Sequence, residues 1–253
     1  MAAAPREPRR LLILGGTGEA AALAGRLAAE PRLHVITSLA GRTREPAKVA
    51  GKLRVGGFGG AAGLAAYLER ESIGLVVDAT HPFAARMAAN AVRACAEIGV
   101  PRLKLMRPPW QARDGDRWID VPDMGAAVRA VGRTGSRVFL SVGRQDLTAF
   151  AGLAGTWFLV RSIEPLEASC PLPRGEVIQG RGPFTEAAEA ALLKDHRIDL
   201  LVSKNSGGQA TYAKIAASRR LGLPVVMIAR PPAPASETIP TVDEAVAWIE
   251  ARI

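Results

Sequence analysis

Gly16-Thr17-Gly18-Glu19-Ala20-Ala21 spells G-x-G-x-x-A, the dinucleotide-binding spacing with alanine at its last position. Glycines here let a backbone approach a pyrophosphate, and a helix beginning beyond them offers free N–H donors and partial positive charge. A packing turn is the plainer reading of the same residues. Further on, Thr37-Ser38-Leu39-Ala40-Gly41-Arg42-Thr43-Arg44 places hydroxyls and arginines where an NAD-binding chain carries an acidic residue for the ribose 2′-OH. An arginine fork pairs with a phosphate, so Ser38, Gly41 and Arg42 favour NADP(H) over NAD(H). Otherwise this is a solvated loop with surface arginines. Gly57 and Phe58, within Gly56-Gly57-Phe58-Gly59-Gly60, allow close approach of a flat ligand or form a flexible turn. Thr80 and His81 follow a strand, where open α/β sheets bind ligands; His81 before Pro82 is equally a helix-opening residue.

The second half carries a different set. Arg144, Gln145, Arg181 and the run Lys204-Asn205-Ser206-Gly207-Gly208 gather polar groups at strand ends, alongside Arg161. Each of these is on its own a solvated side chain or an ordinary turn, but their recurrence at corresponding strand ends brings them to one edge of a sheet. They are expected to bind substrate across a cleft from the first domain. Tyr212 and Lys214 do not form a Tyr-x-x-x-Lys pair, and no catalytic proton donor is assigned.

The elements that position these residues are short buried strands, each followed by a helix. Leu11-Leu12-Ile13-Leu14 precedes the glycine turn, and an alanine-rich run to Ala29 follows it. Leu33 to Thr37 and Ile73 to Asp78 read as further strands, and Gly99 to Pro109 carries another. The order then repeats: Ile198 to Val202 echoes Ile73 to Val77, Gly222 to Pro232 echoes Gly99 to Pro109, and Thr241 to Val246 parallels Val121 to Val128. A spacing of about 125 residues means two copies of one α/β unit rather than a short-period solenoid. The expected architecture is α/β: two tandem Rossmann-like parallel-sheet domains related by internal duplication, with a ligand cleft between them. The boundary is placed near Thr134-Gly135, giving an NADP-binding domain over 1–133 and a substrate-facing domain over 134–253. The second copy opens Ser141-Val142-Gly143-Arg144, with one glycine and a bulky arginine, and is not expected to bind a dinucleotide.

Composition narrows the class. Aromatic residues make up 5% of the 253, so the cores are built from Ala, Leu, Val and Ile. Cys95 and Cys170 lack metal-ligand spacing and are too few for a disulfide framework, so no metal is expected. The N-terminal arginines precede only four apolar residues, short of the roughly seven a secretory core needs. With no run near the roughly 18 apolar residues of a membrane span, the expectation is a soluble cytoplasmic protein with no membrane partner. The net charge of +9 comes from scattered arginines, which favours an acidic small ligand over nucleic acid.

Taken together, Gly15 to Ala20, Ser38 to Arg42, Val55 to Gly60, Asp78 to Ala84, Arg107 to Trp110, Gly143 to Gln145, Arg181 to Phe184 and Lys204 to Gly208 resemble the precorrin-6A reductase family. The likeness keeps this order from Leu11 to Pro232. The resemblance implies two Rossmann-like domains and NADPH-dependent reduction of one double bond of precorrin-6A to precorrin-6B in cobalamin synthesis. It also implies a tetrapyrrole substrate bearing acetate and propionate groups, with other corrin-pathway enzymes as partners. Direct hydride transfer is the expected chemistry, with Lys204 anchoring a carboxylate. The competing expectations are an NADP-dependent reductase or epimerase of another acidic metabolite, and a non-catalytic NADP sensor.

Overall fold

The computed structural model describes residues 7–41, 49–166 and 174–253. It divides into two compact units, Met1–Arg107 with Pro232–Ile253, and Pro108–Pro231. Numbering elements in chain order, the first unit holds strands β1 (Arg9–Leu14), β2 (Leu33–Leu39), β3 (Lys52–Val55), β4 (Ile73–Asp78), β5 (Arg102–Leu105) and β12 (Thr238–Ile239). Its helices are α1 (Gly18–Leu27), α2 (Ala61–Arg70), α3 (Ala85–Ile98) and α7 (Val242–Glu250). The sheet order is β12-β5-β4-β1-β2-β3, and its strand pairs are parallel.

Central β1 is covered on both faces, which is why Leu11 to Leu14 is an unbroken apolar run without alternation. Leu11 and Ile13 pack toward α1 and α7, while Leu12 and Leu14 pack toward α2 and α3. Helix α1 buries Ala20, Leu23, Ala24 and Leu27, the i, i+3, i+4, i+7 stripe of an amphipathic helix. Burial of Leu23 or Leu27 contributes roughly 2 kcal/mol each.

The second unit repeats the plan with β6 (Arg117–Val121), β7 (Arg137–Ser141), β8 (Trp157–Ser162), β9 (Gly175–Gln179), β10 (Leu200–Lys204) and β11 (Pro224–Ile228). Its helices are α4 (Met124–Thr134), α5 (Glu186–Asp195) and α6 (Ala213–Arg220). The order β6-β11-β10-β7-β8-β9, again parallel, matches the first sheet strand for strand. The expected two-sheet α/β architecture is therefore present. In the second unit, though, β7 leads into a 3-10 helix, Arg144–Phe150, where the first unit has the α-helix α1.

The expected division near Thr134 is corrected. Strand β6 and helix α4 belong to the second unit, where β6 pairs with β11, while β12 and α7 return to the first unit, where β12 pairs with β5. Lys104 N donates to Glu237 O and Met106 N to Ile239 O, each at 2.9 Å, and α7 packs Ala245, Trp248 and Ile249 beside Leu23 and Leu27. Each half of the duplication thus gives its last strand and helix to the other sheet. Chain order reveals a repeat but not which sheet edge its last strand joins.

Candidate functional site

In the first unit the glycine turn is tied down from three sides. Gly15 N donates to Ser38 O at 2.9 Å, and Thr17 Oγ1 donates to Ala79 O at 2.8 Å while accepting from Ala20 N at 3.2 Å as the N-cap of α1. Gly16 has φ +107°, a conformation that favours glycine. A Cβ built at Gly16, Gly18 or Gly57 would meet no atom within 4 Å, so the turn opens onto empty space rather than a packed neighbour. The first-turn N–H groups of α1 lack intrahelical partners by construction, and an open helix start of this kind suits a phosphate. Glu19 is spoken for: Arg107 Nη1 donates to its Oε2 at 2.6 Å. These residues fit the pyrophosphate of a dinucleotide.

Beside this turn, Ser38 on β2 and Arg54 on β3 are register partners. Arg54 Nη1 donates to Ser38 Oγ at 3.2 Å and to Gly56 O at 2.6 Å, and its Nη2 donates to Gly57 O at 2.8 Å. Its guanidinium lies 3.7 Å from the centroid of Phe58, which meets Tyr67 edge-on. Phe58 therefore stacks on Arg54. Ser38 and Gly41 lie at the end of β2, and Gly41 has φ +73°. Arg42 lies outside the described residues. Arg54 was not among the expected site residues; it stands two residues before Gly56, where the glycine loop begins.

At the end of β4, Asp78 is fully buried and is met by Lys104 Nζ at 3.0 Å. Asp78 Oδ1 also accepts from Thr80 Oγ1 at 2.7 Å and Thr80 N at 3.0 Å. This buried network holds Thr80 in place against the segment that Thr17 grips through Ala79. His81 Nδ1 accepts from Phe83 N at 3.2 Å, and its carbonyl accepts from Ala84 N, so it shapes the approach to α3. Cys95 is buried on α3, and burial pushes its thiol up to about 11, far from a reactive thiolate.

In the second unit, Lys204 Nζ meets Asp146 Oδ2 at 2.6 Å. Asp146 lies on the 3-10 helix that also carries exposed Arg144 and Gln145. Arg181 stands 3.9 Å from Glu164. The Asn205 amide bonds the backbone of Trp110: Trp110 N donates to Oδ1 at 2.8 Å, and Nδ2 donates to Trp110 O at 3.0 Å. Arg230 binds the carbonyls of Asn205 and Ser206, at 2.9 and 3.1 Å. Ser206 is buried, and Gly207, at φ +66°, brings its α-carbon so close to Pro108 that a Cβ would stand 2.0 Å from the Pro108 oxygen. The Lys-Asn-Ser-Gly-Gly run is thus a rigid loop that presents Lys204.

Among the described residues no cluster of metal-ligating side chains occurs, and no helix is long and apolar enough to cross a membrane. Fold and site together define a protein of two Rossmann-like units, one of which keeps an open glycine turn before its first helix. The chain belongs to the precorrin-6x reductase family, since the family described as "Precorrin-6x reductase CbiJ/CobK" matches residues 10–250. It is 48% identical to the precorrin-6A reductase of Rhodococcus erythropolis over 95% of this chain and 97% of that one. It is 28% identical to the cobalt-precorrin-6A reductase of Salmonella typhimurium, covering 87% of each. A solved structure named CobK precorrin-6A reductase superposes with a TM-score of 0.90 at 45% identity, covering 96% of each chain.

Proposed function

We propose that this chain reduces one double bond of precorrin-6A with NADPH, giving precorrin-6B in cobalamin biosynthesis, as a cytoplasmic enzyme. The observation that carries the cofactor assignment is the Ser38–Arg54 pair at the end of β2, a hydroxyl and a guanidinium where an acidic side chain would repel a 2′-phosphate. The family membership carries the substrate.

When bound, NADPH supplies the hydride. The first unit's residues hold the carrier. Gly16, Thr17, Gly18 and Glu19 form the pyrophosphate turn; Ser38, Gly41 and Arg42, joined by Arg54, take the 2′-phosphate; Gly57, Phe58, Thr80 and His81 border the rest. In the second unit Arg144, Gln145, Arg181, Lys204, Asn205 and Ser206 face the acidic macrocycle. Asp146 fixes the Lys204 ammonium so that it meets a substrate carboxylate in one orientation. Positioning of donor and acceptor supplies several kcal/mol of the rate acceleration. The tetrapyrrole nitrogens serve the proton balance, and no side chain is assigned as donor.

Anaerobic mixing of the protein with NADPH and precorrin-6A tests the reading. The macrocycle absorption is expected to shift as NADPH is consumed; binding of NADPH without that shift would favour a sensor instead.

A further inference from the structure

A cavity of about 160 Å³ opens in the second unit at the carboxyl ends of β7 and β8, where Ser141, Arg161, Gly182, Phe184, Thr211 and Lys214 line it. Its electrostatics are unbalanced. Arg161 spends its fork on Glu189, with Nη1 to Oε2 at 3.1 Å and Nη2 to Oε1 at 2.7 Å; Glu189 is buried, and the Phe184 ring lies 4.0 Å from the guanidinium. Both Glu189 oxygens are thereby occupied. Lys214 is 6% exposed. Among the described residues its ammonium has one acceptor, the Thr211 carbonyl at 3.2 Å, and the Trp110 ring lies 5.3 Å away. An ammonium has three donors, and a buried charge is kept only where it is paired. Two cations, buried Lys214 and largely buried Arg161, stand against the one carboxylate of Glu189, so among the described residues the cavity lining carries a net positive charge.

We infer that this cavity receives one carboxylate-bearing side arm of the substrate, with Lys214 as its counter-ion. The inference rests on the proposed polycarboxylate substrate and adds a subsite to it. A two- or three-carbon arm matches the walls: Phe184 and Val142 offer apolar contact for the stem, while Lys214 and the Ser141 hydroxyl offer donors for the head. The cavity also adjoins the cations already assigned to substrate, for Gly180 and Gly182 flank Arg181. Burial lowers Lys214 to about 8, with Glu189 opposing and Arg161 adding to that shift, so the ammonium is mostly charged at neutral pH.

The test uses the full chain and two probes. Propionate, titrated at pH 7 and followed by saturation-transfer NMR, is expected to bind the wild type and to bind Lys214→Met at least about tenfold more weakly, the size expected for a lost charge-assisted hydrogen bond. With precorrin-6A, Lys214→Met is expected to raise KM about tenfold or more while kcat stays within about twofold and NADPH affinity is unchanged. An unchanged KM alongside equal propionate binding overturns the subsite and leaves the reductase assignment standing. If the wild type turns over no precorrin-6A, the reductase assignment fails, and the propionate arm still decides the cavity. Should Lys214→Met not fold, wild-type crystals soaked in propionate decide: a carboxylate against the Lys214 ammonium supports the subsite, and water alone there overturns it.

Discussion

Arg54 and Ser38 face each other across β3 and β2, and the guanidinium reaches the hydroxyl at 3.2 Å while bracing the Gly56 and Gly57 carbonyls. One side chain thus shapes the glycine loop and adds positive charge at the strand end. Arg54→Ala is expected to weaken NADPH about 10- to 100-fold and NADH only a few-fold, because the guanidinium's positive charge beside the end of β2 would attract a phosphate that NADH lacks. Fluorescence titration with both nucleotides reads the difference, and equal losses would remove Arg54 from the 2′-phosphate site.

Gly18 lies inside helical α1, and a Cβ there meets no atom within 4 Å. Gly18→Leu should therefore fold with its melting temperature within about 2 °C of wild type, since surface changes away from packed features cost little. NADPH affinity is expected to fall more than about 100-fold, because the new side chain fills the space where the backbone must approach the pyrophosphate. Calorimetric melting and nucleotide titration separate the two effects.

Gly207→Ala should behave in the opposite way. Its Cβ would stand 2.0 Å from the Pro108 oxygen at a positive φ, so the loop that presents Lys204 must shift. A loss of about 3 kcal/mol or more is expected in denaturant unfolding, from strain added to overpacking.

Lys214 ties stability to pH. Its folded-state value is lowered from 10.5 to about 8, so between those values the unfolded chain holds the extra proton and stability rises with pH. Below about 8 both states are protonated, and the buried charge costs about 3 kcal/mol. Lys214→Met should accordingly be more stable than wild type at pH 7, with the gap closing toward pH 10. A gap independent of pH would mean that Lys214 titrates normally.

Some of this was legible in the residues alone. Strand β1 and helix α1 announce themselves because a doubly covered strand is uniformly apolar and an amphipathic helix repeats every three or four residues, as Leu23 and Leu27 do. The second unit's divergence from the first was visible at Arg144, where a 3-10 helix begins in place of an α-helix. The exchange of β12 and β6 was not legible, because β12 has two residues and its partner is set by tertiary packing. The roles of Arg54 and Asn205 were equally hidden. Whether an arginine stacks on Phe58, or an asparagine amide closes on Trp110, depends on residues distant in the chain.

The most direct measurement uses NADPH carrying two deuterons at C4 of the nicotinamide, mixed anaerobically with precorrin-6A and the full chain. The predicted product carries one deuteron on the macrocycle, and Gly18→Leu forms almost none at nucleotide levels that saturate the wild type. Reduced product without the label, or product formed equally well by Gly18→Leu, would contradict hydride delivery from a carrier held on the first unit.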